Sequence, residues 1–212
     1  QKAFVYLGHM HYFGNGVDKN CEKAIEYLEL AAKSDISKAL YFLGILYYYD
    51  YNDFGIQNYT NAMKYLELAA EEDNSKALCS LGDCYYNGLG IEKNYSKAIE
   101  YYQKSAQKGN SYALCNLGDC YYNGDGVEKS YTKAFEYYQQ SAKLKNSNAL
   151  NSVGDCFYHG VGVEINYGFA IEFYEKAAKQ GNSIAMWNLG FCYKYGKGVK
   201  RDLDRSFYYY DQ

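Results

Sequence analysis

Leu81-Gly82-Asp83-Cys84-Tyr85-Tyr86-Asn87-Gly88-Leu89-Gly90 recurs along the 212-residue chain in recognisable copies. Leu117 to Gly126 reads LGDCYYNGDG, Val153 to Gly162 reads VGDCFYHGVG, Leu189 to Gly198 reads LGFCYKYGKG and Leu7 to Gly16 reads LGHMHYFGNG. The glycine in second place falls at Gly8, Gly44, Gly82, Gly118, Gly154 and Gly190, at intervals of 36, 38, 36, 36 and 36 residues. An internal period of this length describes an array of small units stacked on their neighbours, so chain length does not count domains here.

Each repeat carries two helical patterns. In the first, helix A, the apolar or small residues Leu78, Leu81, Gly82, Cys84 and Tyr85 form one broad face at 3.6 residues per turn. A glycine inside a helix costs up to roughly 1 kcal/mol relative to alanine, so its recurrence predicts close approach of a partner helix. The pairs Gly14/Gly16, Gly88/Gly90, Gly124/Gly126, Gly160/Gly162 and Gly196/Gly198 end helix A, glycine being the residue that closes a helix in the left-handed conformation. A phosphate-cradling loop is the rival reading, and it is weak because such loops follow a strand. Asn20, Asn58, Asn94, Ser130, Asn166 and Asp202 then stand where an N-cap is needed. Helix B follows, with Ala98, Tyr101, Tyr102, Ser105 and Ala106 as its amphipathic stripe. Gly109-Asn110-Ser111 and Gly181-Asn182-Ser183 turn the chain, with the serine expected to cap the next helix A.

These residues resemble the Sel1-like repeat family, whose pattern runs A-x-x-x-L-G-x-x-Y-x-x-G-x-G-V, a polar cap, K-A, an aromatic, and K-A-A. Ala113 to Ala142 matches almost every marked position, and the resemblance covers essentially the whole chain in six repeats, approximately 3–38, 39–76, 77–112, 113–148, 149–184 and a shorter 185–212. Departures are local: Phe169 replaces a lysine, and repeat two holds two extra residues. The resemblance implies an all-α, right-handed superhelical solenoid of helix-turn-helix repeats, similar to tetratricopeptide arrays. It further implies a non-catalytic adaptor or scaffold for protein–protein interaction.

By the same resemblance one stripe of helix A lines a concave groove. It reads Val5/His9/Tyr12, Tyr41/Ile45/Tyr48, Cys79/Asp83/Tyr86, Cys115/Asp119/Tyr122, Asn151/Asp155/Tyr158 and Trp187/Phe191/Lys194. The candidate partner-binding residues are Tyr41, Tyr48, Asp83, Tyr86, Asp119, Tyr122, Asn151, Asp155, Tyr158, Trp187 and Phe191. Aromatics supply anchoring area and aspartates charge complementarity, which suits a partner protein or peptide with basic and apolar segments. The plainer reading is that the aspartates solvate the face or pair with a lysine of the next repeat. The loop Tyr49-Asp50-Tyr51-Asn52-Asp53-Phe54 is a second candidate contact, through Tyr49, Tyr51 and Phe54.

Chemistry finds little footing. His9, His11 and His159 sit in no nucleophile or metal motif, so no catalytic residue and no metal or cofactor is expected. Cys84, Cys120, Cys156 and Cys192 share one repeat position on the apolar face. Equivalent residues on stacked helices lie about 8 to 10 Å apart, beyond disulfide reach, and read as reduced core residues. Cys79 with Cys84, and Cys115 with Cys120, lack further ligands for zinc. A reducing, cytoplasmic location follows as an expectation, and the sequons at Asn58 and Asn94 matter only on a secretory route.

Composition closes off other classes. The chain is 48% hydrophobic with 29 tyrosines and no proline, and no run reaches roughly 18 apolar residues, so neither disorder nor a membrane span is expected. A formal charge of −3 argues against nucleic acid or an anionic membrane as partner. An RNA-reading helical repeat is therefore the lesser alternative. A regulatory segment of a larger enzyme, a kinase or a ubiquitin-ligase assembly, is the stronger one. The chain opens on Gln1, as a fragment or processed product would. Its last helix stops at Tyr208-Tyr209-Tyr210 with an unmatched apolar face, from which end-to-end self-association is expected.

Overall fold

The computed structural model describes residues 2–33, 37–49 and 58–212. Among these residues the secondary structure is entirely helical, and the chain forms two compact units that meet in sequence between Asn110 and Ser111. Unit 1 holds α1 (Lys2–Phe13), α2 (Cys21–Ala32), α3 (Ser37–Tyr49), α4 (Tyr59–Glu71), α5 (Ser75–Asn87) and α6 (Tyr95–Gln107). Unit 2 holds α7 (Ser111–Asn123), α8 (Tyr131–Lys143), α9 (Ser147–His159), α10 (Tyr167–Ala178), α11 (Ser183–Tyr195) and α12 (Leu203–Tyr210). Odd-numbered helices are helix A of a repeat and even-numbered ones helix B.

Polar side chains set the helix starts. Asn20, Asn58, Asn94, Ser130, Asn166 and Asp202 each accept a hydrogen bond from the backbone N–H three residues on, so all six expected caps of helix B are present. Helix A corrects the sequence reading. Its caps are Asn74, Asn146 and Asn182, and the serine behind each is the first helical residue. The asparagine wins because its amide does a second task that a hydroxyl cannot reach. Asn74 Nδ2 donates to Ser37 Oγ at 2.9 Å, and Asn182 Nδ2 to Asn148 Oδ1 at 3.1 Å. One residue thus satisfies an orphan N–H and ties its helix to the start of the preceding helix A. Helix A closes on glycine in the left-handed conformation, as at Gly160 (φ 72°), whose N–H returns to Cys156 O.

Between the paired helices the recurrent glycine has a steric reason. A Cβ placed on Gly118 would lie 2.5 Å from Tyr138 Cε1, and one on Gly154 would lie 2.6 Å from Tyr174 Cδ1. The tyrosine ring lies flat against the bare helix backbone. In the first two repeats the same place is taken by leucine, Leu28 over Gly8 and Leu66 over Gly44. Around this contact Ala77, Leu81, Cys84, Ala98 and Tyr102 are buried in unit 1, and Ala149, Val153, Cys156, Ala170 and Tyr174 in unit 2. All seven cysteines are reduced thiols, and only Cys21 is outside the buried set. Burial pushes the thiols of Cys84, Cys115, Cys120 and Cys156 up to about 12, with a neighbouring aspartate adding to the shift in each case.

Candidate functional site

The helix A stripe has a definite anatomy. In unit 1 Tyr41 stands edge-on to Phe42, while Tyr48 and Tyr86 pack edge-on against the first residue of the following helix B, Tyr59 at 5.8 Å and Tyr95 at 5.1 Å between ring centres. In unit 2 Tyr158 packs edge-on against Tyr167, and Tyr122 rests tilted on Tyr131. Tyr41, Tyr48, Tyr86 and Tyr158 are half-buried and Tyr122 is exposed. Of the loop proposed from the sequence, Tyr51 and Phe54 lie outside the described residues, and the structure describes only the backbone of Tyr49.

The aspartates turn out to be held from within their own repeat. Tyr102 Oη donates to Asp83 Oδ1 at 2.8 Å, Tyr138 Oη to Asp119 Oδ1 at 2.6 Å, and Tyr174 Oη to Asp155 Oδ1 at 2.7 Å. The donor is always the tyrosine that covers the helix A glycine, 19 residues later. Charge-assisted hydrogen bonds of this length are the stronger kind. Burial raises the carboxyls of Asp119 and Asp155 above their ordinary value, against the opposing pull of the tyrosine bond. The hydroxyls of Tyr138 and Tyr174 are driven far above the usual tyrosine range by burial and then by the adjacent carboxylate.

Asp155 carries the fullest network. Asn151 Nδ2 reaches Asp155 Oδ2 at 2.9 Å, while Asn188 Nδ2 reaches Asp155 Oδ1 at 3.1 Å and Asn151 Oδ1 at 3.0 Å. Asn151 is buried, so both ends of its amide are spent inside unit 2. Cys79 and Cys115, placed on the same stripe by the helical wheel, are also buried, because helix A is packed over a wider arc than one partner helix would require.

In unit 2 the stripe opens into two recesses that share His159. One, of about 310 Å³, is lined by Asp119, Tyr122, Ser152, Asp155 and His159 among others. The other, of about 230 Å³, is lined by Tyr158, His159, Trp187, Asn188 and Phe191. Trp187 is 57% exposed and Tyr122 41% exposed. Trp187 stacks on Phe191 at 5.9 Å, and Phe191 in turn meets Tyr158 at 6.4 Å and Tyr195 at 4.6 Å. Asp119, Tyr122, Asp155, Tyr158, Trp187 and Phe191 are thus brought to one surface. His159, Ser152 and Asn188 were missed from the sequence, although His159 and Ser152 stand four residues after and three before Asp155, on its own helix face. No group of three or more metal-ligating side chains is found among the described residues, and no helix there is long and apolar enough to cross a membrane.

Six hairpins of this kind, each built on a helix A glycine with a polar side chain capping its helix B, define an α-helical repeat solenoid. The Sel1 repeat profile matches residues 5–35, 37–74, 75–110, 111–146, 147–182 and 183–212, and the chain belongs to that family. It is similar to a Sel1 repeat protein from Oxalobacter formigenes, with 30% identity, a TM-score of 0.91, and coverage of 99% of this chain and 85% of that one. It also resembles c5321, a protective antigen of uropathogenic Escherichia coli with the same repeat fold, at 28% identity and a TM-score of 0.79; the match covers 99% of this chain but only 44% of that protein. An immunity protein of Pseudomonas aeruginosa, 19% identical with a TM-score of 0.69, shares the fold over 100% of this chain and 81% of its own. A search of curated protein sequences found no match. The Sel1 repeat fold is commonly a scaffold for protein–protein interaction.

Proposed function

We propose that this chain is a non-catalytic scaffold that binds a partner protein through the helix A face of unit 2. The observation that carries the reading is the pair of joined recesses at His159, lined by six residues of the expected stripe and bordered by the exposed Trp187 and Tyr122. Large rings of this kind anchor interfaces at low entropic cost, and their truncation typically removes more binding energy than any rim contact. The partner best suited to the surface presents an apolar or aromatic side chain to Trp187 and Phe191, with a hydrogen-bond donor or a cationic group facing Asp119 and Asp155. Because those carboxylates already bind tyrosines, they contribute directed acceptors more than raw charge.

The test is capture of a partner from native extract, followed by its purification and titration against three forms of the chain. Trp187→Ala and Tyr122→Ala should each weaken binding by about tenfold or more with the helical spectrum unchanged. An Asp83→Asn, Asp119→Asn, Asp155→Asn form should weaken it less. Full binding by Trp187→Ala together with Tyr122→Ala would place the partner on another surface.

A further inference from the structure

A third recess in unit 2 lies mainly between helices B and shares no lining residue with the two at His159. It encloses about 600 Å³ and is lined by Gln139, Ala142, Lys143, Lys145, Leu150, Phe173, Lys176, Lys179 and Gln180. The chain builds it from the ends of α8 and α10, the turn between α8 and α9, and Leu150 in the first turn of α9. Its floor is apolar, formed by Ala142, Leu150 and Phe173, of which Leu150 is buried in the core cluster and Ala142 and Phe173 pack against that cluster. Its rim holds four lysines and no acidic residue. Among the described residues the one ion pair these lysines make is Lys176 to Glu172, at 2.6 Å and exposed; Lys176 also stands over the Phe173 ring at 4.9 Å.

Unit 1 contains the corresponding recess with acids and lysines mixed on its rim. It encloses about 590 Å³ and is lined by Glu67, Ala70, Glu71, Asp73, Leu78, Leu81, Tyr101, Lys104, Gln107 and Lys108. Nine of its positions correspond to unit 2 at an offset of 72 residues, two repeats. Glu67 corresponds to Gln139, Glu71 to Lys143, Asp73 to Lys145 and Gln107 to Lys179, while Lys104 keeps its charge at Lys176 and the floor residues Ala70, Leu78 and Tyr101 keep their character. In unit 1 the charges cancel internally, Lys108 Nζ lying 2.7 Å from Asp73 Oδ1. The fold is therefore indifferent to the sign of these residues. Favourable placement of cations at helix C-termini does not explain the lysines either, since α4 ends on Glu71 in the equivalent place. Lys145 itself occupies a left-handed backbone conformation (φ 61°) at the turn position where the neighbouring repeats carry Gly109 and Gly181. A lysine stands there although glycine fits the backbone better, as Asp73 (φ 63°) stands at the equivalent place in unit 1.

We propose that the recess between α8 and α10 binds an acidic peptide segment of a partner, with one aromatic or branched apolar side chain seated on Ala142, Leu150 and Phe173 and carboxylates on either side meeting Lys143, Lys145, Lys176 and Lys179. The lysines come from three separate elements around a floor, a spacing that rewards several carboxylates along an extended backbone rather than a single anion. The apolar floor distinguishes this site from a surface for nucleic acid, which would need no pocket for a side chain.

The experiment uses the full chain and a fluorescein-labelled peptide, Glu-Asp-Glu-Phe-Glu-Asp-Glu, followed by fluorescence anisotropy at low and moderate salt. Saturable binding to one site is expected, weakening as salt rises. Lys143→Glu with Lys145→Asp, substitutions whose counterparts Glu71 and Asp73 the fold already accommodates, should weaken it by about tenfold or more. Lys179→Gln, the residue present at position 107, gives a milder second variant with a loss of about threefold. Conversely Glu67→Gln, Glu71→Lys, Asp73→Lys, Gln107→Lys and Lys108→Gln together should raise the stoichiometry from one peptide to two. The proposal is overturned if no saturable binding is seen, if the charge-reversed chain binds unchanged, if the same peptide with alanine for phenylalanine binds equally well, or if an oligouridylate binds more tightly than the peptide.

Discussion

The first two repeats and the next three solve one packing problem with different chemistry. Opposite the bare glycine of helix A, repeats one and two place Leu28 and Leu66, and the residues beside the glycine are His9 and Ile45. Repeats three to five place Tyr102, Tyr138 and Tyr174 there, with Asp83, Asp119 and Asp155 beside the glycine as acceptors. One position further along helix A the first group has Met10 and Leu46, and the second has Cys84, Cys120 and Cys156. Apart from His9, whose imidazole burial holds below its ordinary value, the early repeats close their helix pairs with aliphatic and thioether groups, and the later ones with phenols, carboxylates and thiols. The difference teaches that the glycine fixes how near the helices come, while the opposing residue is free to vary between dispersion contact and a directed hydrogen bond.

The strongest way to break the comparison is truncation. Tyr138→Ala should cost about 4 kcal/mol in urea unfolding, since it removes a buried ring and leaves the half-buried Asp119 without its donor. Leu66→Ala should cost about 3 kcal/mol, the transfer and cavity terms alone. Equal losses at the two sites would mean that the hydroxyl contributes nothing.

Alkali should separate the two groups of repeats. A thiol whose folded pKa is raised contributes stability that is complete below its ordinary value of 9.0 and is lost as the pH climbs toward the raised one, because only the unfolded chain then releases the proton. For Cys84, Cys115, Cys120 and Cys156, pushed up to about 12, the window runs from about 9 to about 12. Between pH 7.5 and 9.5 the set should lose about 3 kcal/mol in all. Above pH 10 the tyrosines add to the loss in the same direction. Urea midpoints at the two pH values measure this; alanine in place of the four cysteines should flatten the dependence, and an unchanged midpoint in the native chain would contradict it.

A smaller effect tests whether the aspartate–tyrosine pair is a transferable unit. Ile45→Asp and Leu66→Tyr should each destabilise repeat two, and the double variant should recover about 1 kcal/mol relative to the two losses taken together. Strict additivity would show that the pair depends on its surroundings in the later repeats.

The repeat, the helix B caps and the reason for the helix A glycine were legible because each is a local rule: a period, a residue type before an apolar stripe, a missing side chain. Asp83, Asp119 and Asp155 were read as a row on the exposed face, whereas each is half-buried and held by a tyrosine that was not seen. A helical wheel ranks residues on one helix and is blind to a donor 19 positions later on another. The signal was present all the same, since an aspartate follows the glycine in the three repeats whose next helix supplies a tyrosine with that spacing. Repeat six shows its limit, with Tyr210 over Gly190 but Phe191 in the aspartate's place. The helix A cap was misread for a related reason: serine is an excellent cap on its own, and only the contact back to the preceding repeat selects asparagine. The lysine-rimmed recess was invisible because its residues are scattered over two repeats and mean something only beside the unit 1 positions, where two of the four lysines are replaced by acids.

Gly162 lies so close to the backbone of Tyr131 that a side chain there would collide with the chain itself, and Gly198 meets Tyr167 in the same manner. These glycine loops, with Gly90 against Tyr59, are thereby keyed to the start of the helix B one repeat before them. A deletion of one or two residues between those points would put the loop out of step, whereas loss or gain of a whole 36-residue block would leave every junction with a matching neighbour. Inheritance can therefore rewrite this gene in paragraphs more readily than in letters, and the number of hairpins should differ between relatives far more freely than the length of any one of them.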